Sequence, residues 1–195
     1  MGQRQDLLAG AKKCVAEKGY SRTTARDIVA VSGANLAAIG YHFGSKEALL
    51  NAAILDSFGE WGDAIERAMA EPHAGEPVDR LERFLAGFLA GSVERRATLV
   101  ASVQAFAEAE FVPEVRQQLA ESYEQGRRDF AAMLLGVEPD EVDDAGRKLG
   151  SLVLAIINGM VLQWLLAPEA TPTAAEFAAA IRSLASSAAR SPATM

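Results

Sequence analysis

Tyr41 and His42 are the side chains best placed to bind a polar partner, because both bring hydrogen-bonding groups to one side of a short predicted helix. At about 100° per residue, that helix divides into two faces. The face predicted to contact a partner consists of Ala37, Ala38, Tyr41 and His42. The face predicted to be core consists of Leu36, Ile39, Gly40 and Phe43. Small residues followed by aromatic hydrogen-bonding groups suit a helix that reads base edges in the DNA major groove.

Hydroxyl and cationic groups flank this helix and could hold DNA phosphates. Lys46 follows Ser45, which is predicted to cap the next helix, so its ammonium would lie where free amides and the helix dipole favour a phosphate. Gly40 is predicted to weaken its helix without touching DNA. The full set of predicted DNA contacts is Thr24, Arg26, Ala37, Ala38, Tyr41, His42 and Lys46.

Two short helices joined by a tight turn are predicted to position these groups. Thr24 and Asp27 fit the pattern in which a hydroxyl and a carboxylate satisfy the first free amides of a helix. Gly33 ends that helix, and Asn35 is placed to cap the next one. The arrangement predicts a helix-turn-helix, whose second helix enters the major groove.

The charge of the chain is unevenly distributed. The net charge is −7, which by itself argues against a nucleic-acid partner. Residues 1–50, however, hold seven basic and four acidic side chains, a net charge of +3, so the remainder carries −10. A basic N-terminal end on an acidic body is consistent with DNA binding confined to that end.

Three motifs in register resemble the N-terminal DNA-binding domain of TetR/AcrR-family transcriptional regulators, over roughly residues 5 to 55. They are Lys18-Gly19-Tyr20, Thr23-Thr24-x-x-Asp27-Ile28 and Tyr41-x-Phe43-x-Ser45-Lys46-Glu47. Two positions depart from the family pattern, which often has a larger residue where this chain has Gly40 and a polar one near Ala38. The resemblance implies a homodimer that binds a double-stranded DNA operator and a small-molecule effector.

The rest of the chain shows only helical periodicity, so the predicted fold is all-α with about nine helices. Residues 1–46 are predicted to form the helix-turn-helix domain, and residues 47–195 a helical effector-binding and dimerisation domain. A long helix from Ser45 to about Glu71 joins them, and a second long helix runs from about Asp140 to Ala167. The tail from Ser186 is predicted to fray, since it has little apolar content.

Residues 152–167 are apolar almost all round, which predicts a helix buried on every side, with a second subunit supplying part of the cover. The resemblance implies the same, since TetR-like proteins dimerise through a four-helix bundle of their last two long helices. Trp164 is the predicted hot spot. The predicted interface comprises Ile156, Gly159, Met160, Gln163, Trp164, Phe177, Ile181 and Leu184.

Large aromatic and flexible side chains are concentrated in the middle helices. Core packing would explain each of them singly, but the resemblance implies a pocket for a small, mostly apolar or aromatic molecule. The predicted ligand-binding residues are Trp61, Phe84, Phe88, Gln104, Phe106, Tyr123, Phe130 and Met133.

Several other kinds of site are not indicated. With one cysteine and two histidines far apart in sequence, no metal-ligand spacing exists, and no metal or cofactor is predicted. Cys14 is predicted to be a buried structural thiol, and His73 a solvated loop residue. The N-terminus does not resemble a signal peptide, which predicts a cytoplasmic protein.

The function that accounts for these features is a ligand-responsive DNA-binding regulator, with repression favoured over activation. Two other classes stay open. A helical dimeric scaffold without specific DNA binding is suggested by the departure at Gly40. An all-α enzyme would need a convergent set of polar groups, and no catalytic motif is present, so the prediction is that the protein is not an enzyme.

Overall fold

The computed structural model describes residues 2–68 and 75–190. Within these ranges it contains nine α-helices, two short 3₁₀ turns and no strand, which confirms the all-α prediction. The helices are α1 (Gln3–Lys18), α2 (Ala25–Ser32), α3 (Leu36–Phe43), α4 (Lys46–Ala68), α5 (Pro77–Ser92), α6 (Arg96–Glu108), α7 (Pro113–Leu135), α8 (Asp144–Leu166) and α9 (Ala174–Arg190).

The helices are grouped in two compact units, whose residues are not contiguous in sequence. The head unit comprises Met1–Asp63 and Glu94–Gln125, and the body unit comprises Ala64–Val93 and Gly126–Met195. Helices α4 and α7 therefore contribute residues to both. The core around the helix-turn-helix continues into later helices, and the predicted boundary at residue 46 stays a prediction.

The core of the head unit extends from the first three helices into α4 and α6. Leu7, Ile28 and Leu49 are fully buried in one apolar cluster. Ala101 and Ala105 of α6 are each 1% exposed and belong to the same cluster. Their small side chains let α6 approach α1 closely, so the helix-turn-helix is packed against a helix that lies far along the chain.

In the body unit, α7 and α8 cross at unusually short range. A Cβ atom added at Gly150 would lie 1.9 Å from the carbonyl oxygen of Arg127, so only glycine fits there. The side chains support the same crossing, since Arg127 Nε donates to Ser151 Oγ at 3.0 Å. Elsewhere in this unit, Arg182 of α9 pairs with Asp79 of α5 at 2.5 Å.

Two element boundaries differ from prediction. Helix α8 starts at Asp144 rather than near residue 140, because Pro139–Glu141 forms a separate 3₁₀ turn and Asp143 caps the helix by accepting from Gly146 N at 2.8 Å. Helix α9 continues to Arg190, past the position where fraying was predicted. The predicted end of the linker helix at Glu71, His73, and the last five residues lie outside the described residues.

Candidate nucleic-acid interface

The entry to α2 is fixed by a reciprocal cap. The hydroxyl of Thr24 accepts from the amide of Asp27 at 3.2 Å, and the amide of Thr24 donates to the Asp27 carboxylate at 2.9 Å. Lys18, the last residue of α1, donates to the same carboxylate at 2.5 Å. The Lys18 ammonium and the Thr24 donors hold the pKa of Asp27 well below its usual range. The predicted cap is confirmed, and it also joins the end of α1 to the start of α2.

The turn between α2 and α3 has the predicted form. Gly33 has φ 69°, a left-handed conformation that favours glycine at the end of a helix. The side-chain oxygen of Asn35 then accepts from the amide of Ala37 at 2.9 Å and caps α3. Ser45 caps α4 in the same way, accepting from Ala48 N at 3.0 Å. Local side-chain chemistry thus defines both ends of the candidate reading helix.

The orientation of α3 differs from prediction. Ala38 is 7% exposed and packs in the head core beside Ile39 and Phe43, so it does not belong to the outward face. Leu36, predicted to be core, is 51% exposed, and Gly40 is exposed as well. The physical reason is that nearly every residue of α3 is small or apolar, so its pattern does not determine which side the rest of the head covers.

The exposed residues of α3 form one continuous surface, here called the reading face: Leu36, Ala37, Gly40 and Tyr41. Tyr41 is 86% exposed, and its ring meets the half-buried His42 ring edge-on with centroids 4.8 Å apart. A Cβ atom at Gly40 would meet nothing within 4 Å. The reading face is therefore open and has Tyr41 as its one prominent polar side chain.

The two predicted phosphate-binding cations differ in their surroundings. Lys46 Nζ donates to the carbonyl oxygen of Thr23 at 3.2 Å and pairs with Glu47 at 3.1 Å, so it also ties α4 to the segment before α2. Arg26 is exposed near the start of α2 and has no hydrogen bond or ion pair within the described part of the chain. The DNA contacts of Thr24, Arg26, Ala37, Tyr41, His42 and Lys46 stay predictions.

The eight predicted ligand-binding residues divide between the two units. Trp61, Gln104, Phe106 and Tyr123 belong to the head unit, and Phe84, Phe88, Phe130 and Met133 belong to the body unit. Each unit brings some of its own members together. Phe106 contacts Tyr123 edge-on with centroids 5.8 Å apart, and Phe84 contacts Phe130 likewise at 5.2 Å. Their binding of a ligand stays a prediction.

A separate cleft of about 350 Å³ lies among α1, α4 and α7 within the head unit. The charge of Asp56 on its wall is paired with Lys12 at 2.6 Å, and the Glu121 carboxylate accepts a hydrogen bond from the uncharged Gln117 at 2.9 Å. It shares no lining residue with the predicted ligand-binding set. The lining residues are Arg4, Leu8, Ala52, Leu55, Asp56, Gln118, Glu121 and Ser122.

Helix α8 is not covered on every side by its own chain. Met160 and Trp164 are 1% and 8% exposed, so both belong to the core of their own subunit, and Trp164 is not an accessible hot spot. Leu152, Leu162 and Leu166 are instead 54%, 48% and 86% exposed, and the sequence pattern missed them. A helix that is apolar all round gives no signal about which side its own chain covers.

The remaining predicted interface residues are more exposed than Met160 and Trp164. Gln163 and Leu184 are exposed, and Ile156, Gly159, Phe177 and Ile181 are half-buried. Among the described helices, α8 alone is long and apolar enough to cross a membrane by length and composition. An apolar helix that packs against a second subunit satisfies the same criterion.

Cys14 is 1% exposed, as predicted for a structural thiol. Burial raises the pKa of the thiol, which keeps it protonated and unreactive near neutral pH.

Most of the chain matches two family models. Residues 7–53 match the model described as bacterial regulatory proteins of the tetR family. Residues 77–189, which are more than half of the chain, match the model described as the C-terminal part of BetI-type transcriptional repressors.

Individual proteins agree with these models. The chain is 25% identical over 174 residues to the HTH-type transcriptional regulator TtgR of Pseudomonas putida, covering 85% of this chain and 81% of that protein. A TetR-family transcriptional regulator from Rhodococcus sp. has a similar structure, with a TM-score of 0.69, 22% identity and coverage of 93% and 98%. So does the multidrug binding protein EbrR complexed with imidazole, with a TM-score of 0.66, 22% identity and coverage of 93% for each chain. The two structures support the fold.

Proposed function

The chain belongs to the TetR family of DNA-binding bacterial regulatory proteins, and we propose that it is a homodimeric repressor that leaves its operator when it binds a small, mostly apolar or aromatic molecule. The observation that carries the DNA-binding part is the reading face of α3, which is exposed on a helix capped at its start by Asn35. The exposed Arg26 of α2 and the partly exposed Lys46 of α4 supply positive charge on the two helices that flank α3 in sequence. A regulator that binds an operator must reach genomic DNA, so we place the protein in the cytoplasm.

Recognition of an operator requires two reading faces at a fixed spacing, roughly 34 Å or a small multiple of it. The exposed residues of α8 supply a surface for such a dimer. Leu152, Ala155, Gly159, Leu162 and Leu166 follow each other at alternating intervals of three and four residues, the spacing of a seam between packed helices. We call this row the dimer face. Gly159 has no neighbouring atom within 4 Å of an added Cβ, so a second helix could approach closely there.

The proposals of repression and ligand response rest on the C-terminal part of the chain. Residues 77–189 match a repressor model, and the structurally similar EbrR is a multidrug binding protein. The edge-on pair of Phe84 and Phe130 in the body unit suits an apolar or aromatic effector. A ligand that stabilises one position of α4 would change the position of the two heads, because α4 begins at Lys46 in the head unit and its last residues belong to the body unit.

The DNA-binding proposal is tested by selecting duplexes from a randomised library with the full-length protein at low salt. We expect enrichment of a two-fold symmetric sequence with two half-sites. If no sequence is enriched over the starting library, the protein does not recognise an operator and the scaffold alternative is favoured.

The ligand response is tested by reciprocity. An effector must bind more weakly to the protein–duplex complex than to the protein alone, by the same factor by which it weakens duplex binding. A compound that binds both forms equally would not be an effector.

A further inference from the structure

The reading face is chemically unusual for a surface that recognises DNA. It consists of Leu36, Ala37, Gly40 and Tyr41, and the whole of α3 contains no arginine, lysine, asparagine or glutamine. The phenol of Tyr41 is its only exposed side-chain hydrogen-bonding group, since the neighbouring His42 is half-buried. The surface that would face the bases is therefore mostly apolar.

The four bases differ in what such a surface can recognise. Guanine is usually read by arginine or lysine at O6 and N7, and adenine by asparagine or glutamine at N6 and N7. Thymine alone presents a methyl group in the major groove, and apolar side chains contact that methyl. A surface without long polar side chains can discriminate thymine but lacks the bidentate donors for guanine and adenine.

Leu36 is in the right place for such a contact. It is the first residue of α3, and the N-terminal residues of a recognition helix are the ones that reach base edges. It is 51% exposed and lies outside the buried core cluster of the head, so its isobutyl group is not needed to hold the fold.

The spacing along α3 sets how many bases the apolar part can cover. The Cα atoms of Leu36 and Ala37 are about 3.8 Å apart, as across any trans peptide bond. Base pairs are stacked about 3.4 Å apart, so these two neighbouring side chains match two adjacent base pairs. Gly40 adds no side chain between Leu36 and Tyr41, which lets the bases approach the backbone of α3.

We propose that this protein selects its operator largely through thymine methyl groups, with Leu36 and Ala37 contacting the 5-methyl groups at two adjacent positions of each half-site. Leu36 is then a specificity-determining residue, and Tyr41 contributes the one directional hydrogen bond. This inference rests on the proposed DNA-binding function. It adds the chemical feature of the operator that is recognised.

The test uses two randomised duplex libraries of the same design, one made with thymidine and the other with 2′-deoxyuridine, which lacks only the methyl group. Full-length protein should enrich a sequence with paired thymines in each half-site from the first library. From the second library it should not enrich uracil at those positions.

Affinities for single duplexes make the test quantitative. Replacing one contacted thymine by uracil should weaken binding about fourfold, and the symmetric replacement in both half-sites about sixteenfold. Leu36→Ala should lose most of this difference between thymine and uracil duplexes, whereas Leu36→Met, which keeps an apolar group of similar size, should retain it. Val93→Ala is the matched control, because Val93 is another exposed apolar residue, 74% exposed and outside α3.

The outcomes distinguish failure of the proposed DNA-binding function from failure of the thymine-methyl inference. If neither library yields an enriched sequence, the proposed function fails. If both libraries yield the same sequence with equal affinity, DNA binding stands and the methyl inference is wrong. The inference is equally wrong if Leu36→Ala discriminates thymine from uracil as strongly as the wild type does. Circular dichroism of each variant checks that the protein as a whole is still folded.

Discussion

Replacing Arg26 by alanine should reduce the salt dependence of DNA binding without reducing stability. Arg26 is exposed and has no intramolecular partner within the described residues, so its guanidinium is available to a phosphate. Losing one phosphate contact per head should change the slope of log affinity against log salt by about 0.9, or about 1.8 for the dimer. The affinity advantage of the wild type should then shrink about twelvefold between about 50 and 200 mM salt.

Lys46→Ala is the informative comparison. Its ammonium donates to Thr23 O at 3.2 Å and pairs with Glu47, so its loss should affect the fold as well as the DNA. We expect a slope change of about one unit per head, similar on all DNA sequences. We also expect a loss of about 1 kcal/mol in the free energy of unfolding, which Arg26→Ala should not show.

Fluorescence anisotropy of a labelled duplex, selected as above and titrated at several salt concentrations, measures both slopes. Thermal unfolding measures stability. Arg182→Ala is the control, because Arg182 belongs to the body unit and its loss should leave the slope unchanged. An unchanged slope for Arg26→Ala on both the selected and a random duplex would refute the role assigned to this residue.

Three further predictions concern assembly and stability. Leu162→Glu should weaken dimerisation about thirtyfold, equivalent to about 2 kcal/mol, when the dimer dissociation constant is measured by sedimentation. The control Val93→Glu should leave the dissociation constant unchanged. An unaffected dimer in Leu162→Glu would mean that the dimer face is not the interface. Asp27→Asn should lower the melting temperature by a constant amount near neutral pH. This difference should shrink as the pH falls below 3.8, the ordinary pKa of an aspartate carboxyl, because the interactions that depress the pKa of Asp27 stabilise the fold only while its carboxylate is ionised. A difference that grows on acidification would contradict the role assigned to Asp27. Gly150→Ala should destabilise the body by about 1–3 kcal/mol or more, since its Cβ would lie 1.9 Å from Arg127 O. Gly59→Ala is the control, because its Cβ would meet nothing within 4 Å, and it should stabilise α4 by up to about 1 kcal/mol. Equal melting temperatures for the two variants would show that the crossing of α7 and α8 is not close.

The features that could be predicted from sequence are those set by neighbouring residues. The caps formed by Thr24, Asn35 and Ser45 and the turn at Gly33 follow from side chains within three positions of the backbone groups that they satisfy. Helix identity followed from the same kind of local signal, namely periodicity between glycines and prolines. These features identified the helix-turn-helix and the family.

The features that could not be predicted depend on which surface a helix presents to the rest of the molecule. In α3, Ala38 and Leu36 are both apolar, and only tertiary packing decides that Ala38 is buried and Leu36 exposed. Trp164 and Leu166 of α8 pose the same problem. The packing of α6 against the head core could not be predicted, because alanines such as Ala101 occur on both buried and exposed faces of helices. In each case the composition predicted a helix, but it did not determine which face of that helix is buried.

The most direct test of the central claim is to change the spacing between the two half-sites of the selected operator. A fixed dimer with two reading faces requires half-sites about one helical turn, or a multiple of it, apart. Inserting about half a turn of DNA between them turns one half-site to the far side of the duplex. Affinity should then fall to that of a random duplex, and a further half-turn should restore part of it if the dimer can span the longer distance. If the half-turn insertion leaves the affinity unchanged, the protein does not read its operator as a dimer with a fixed spacing.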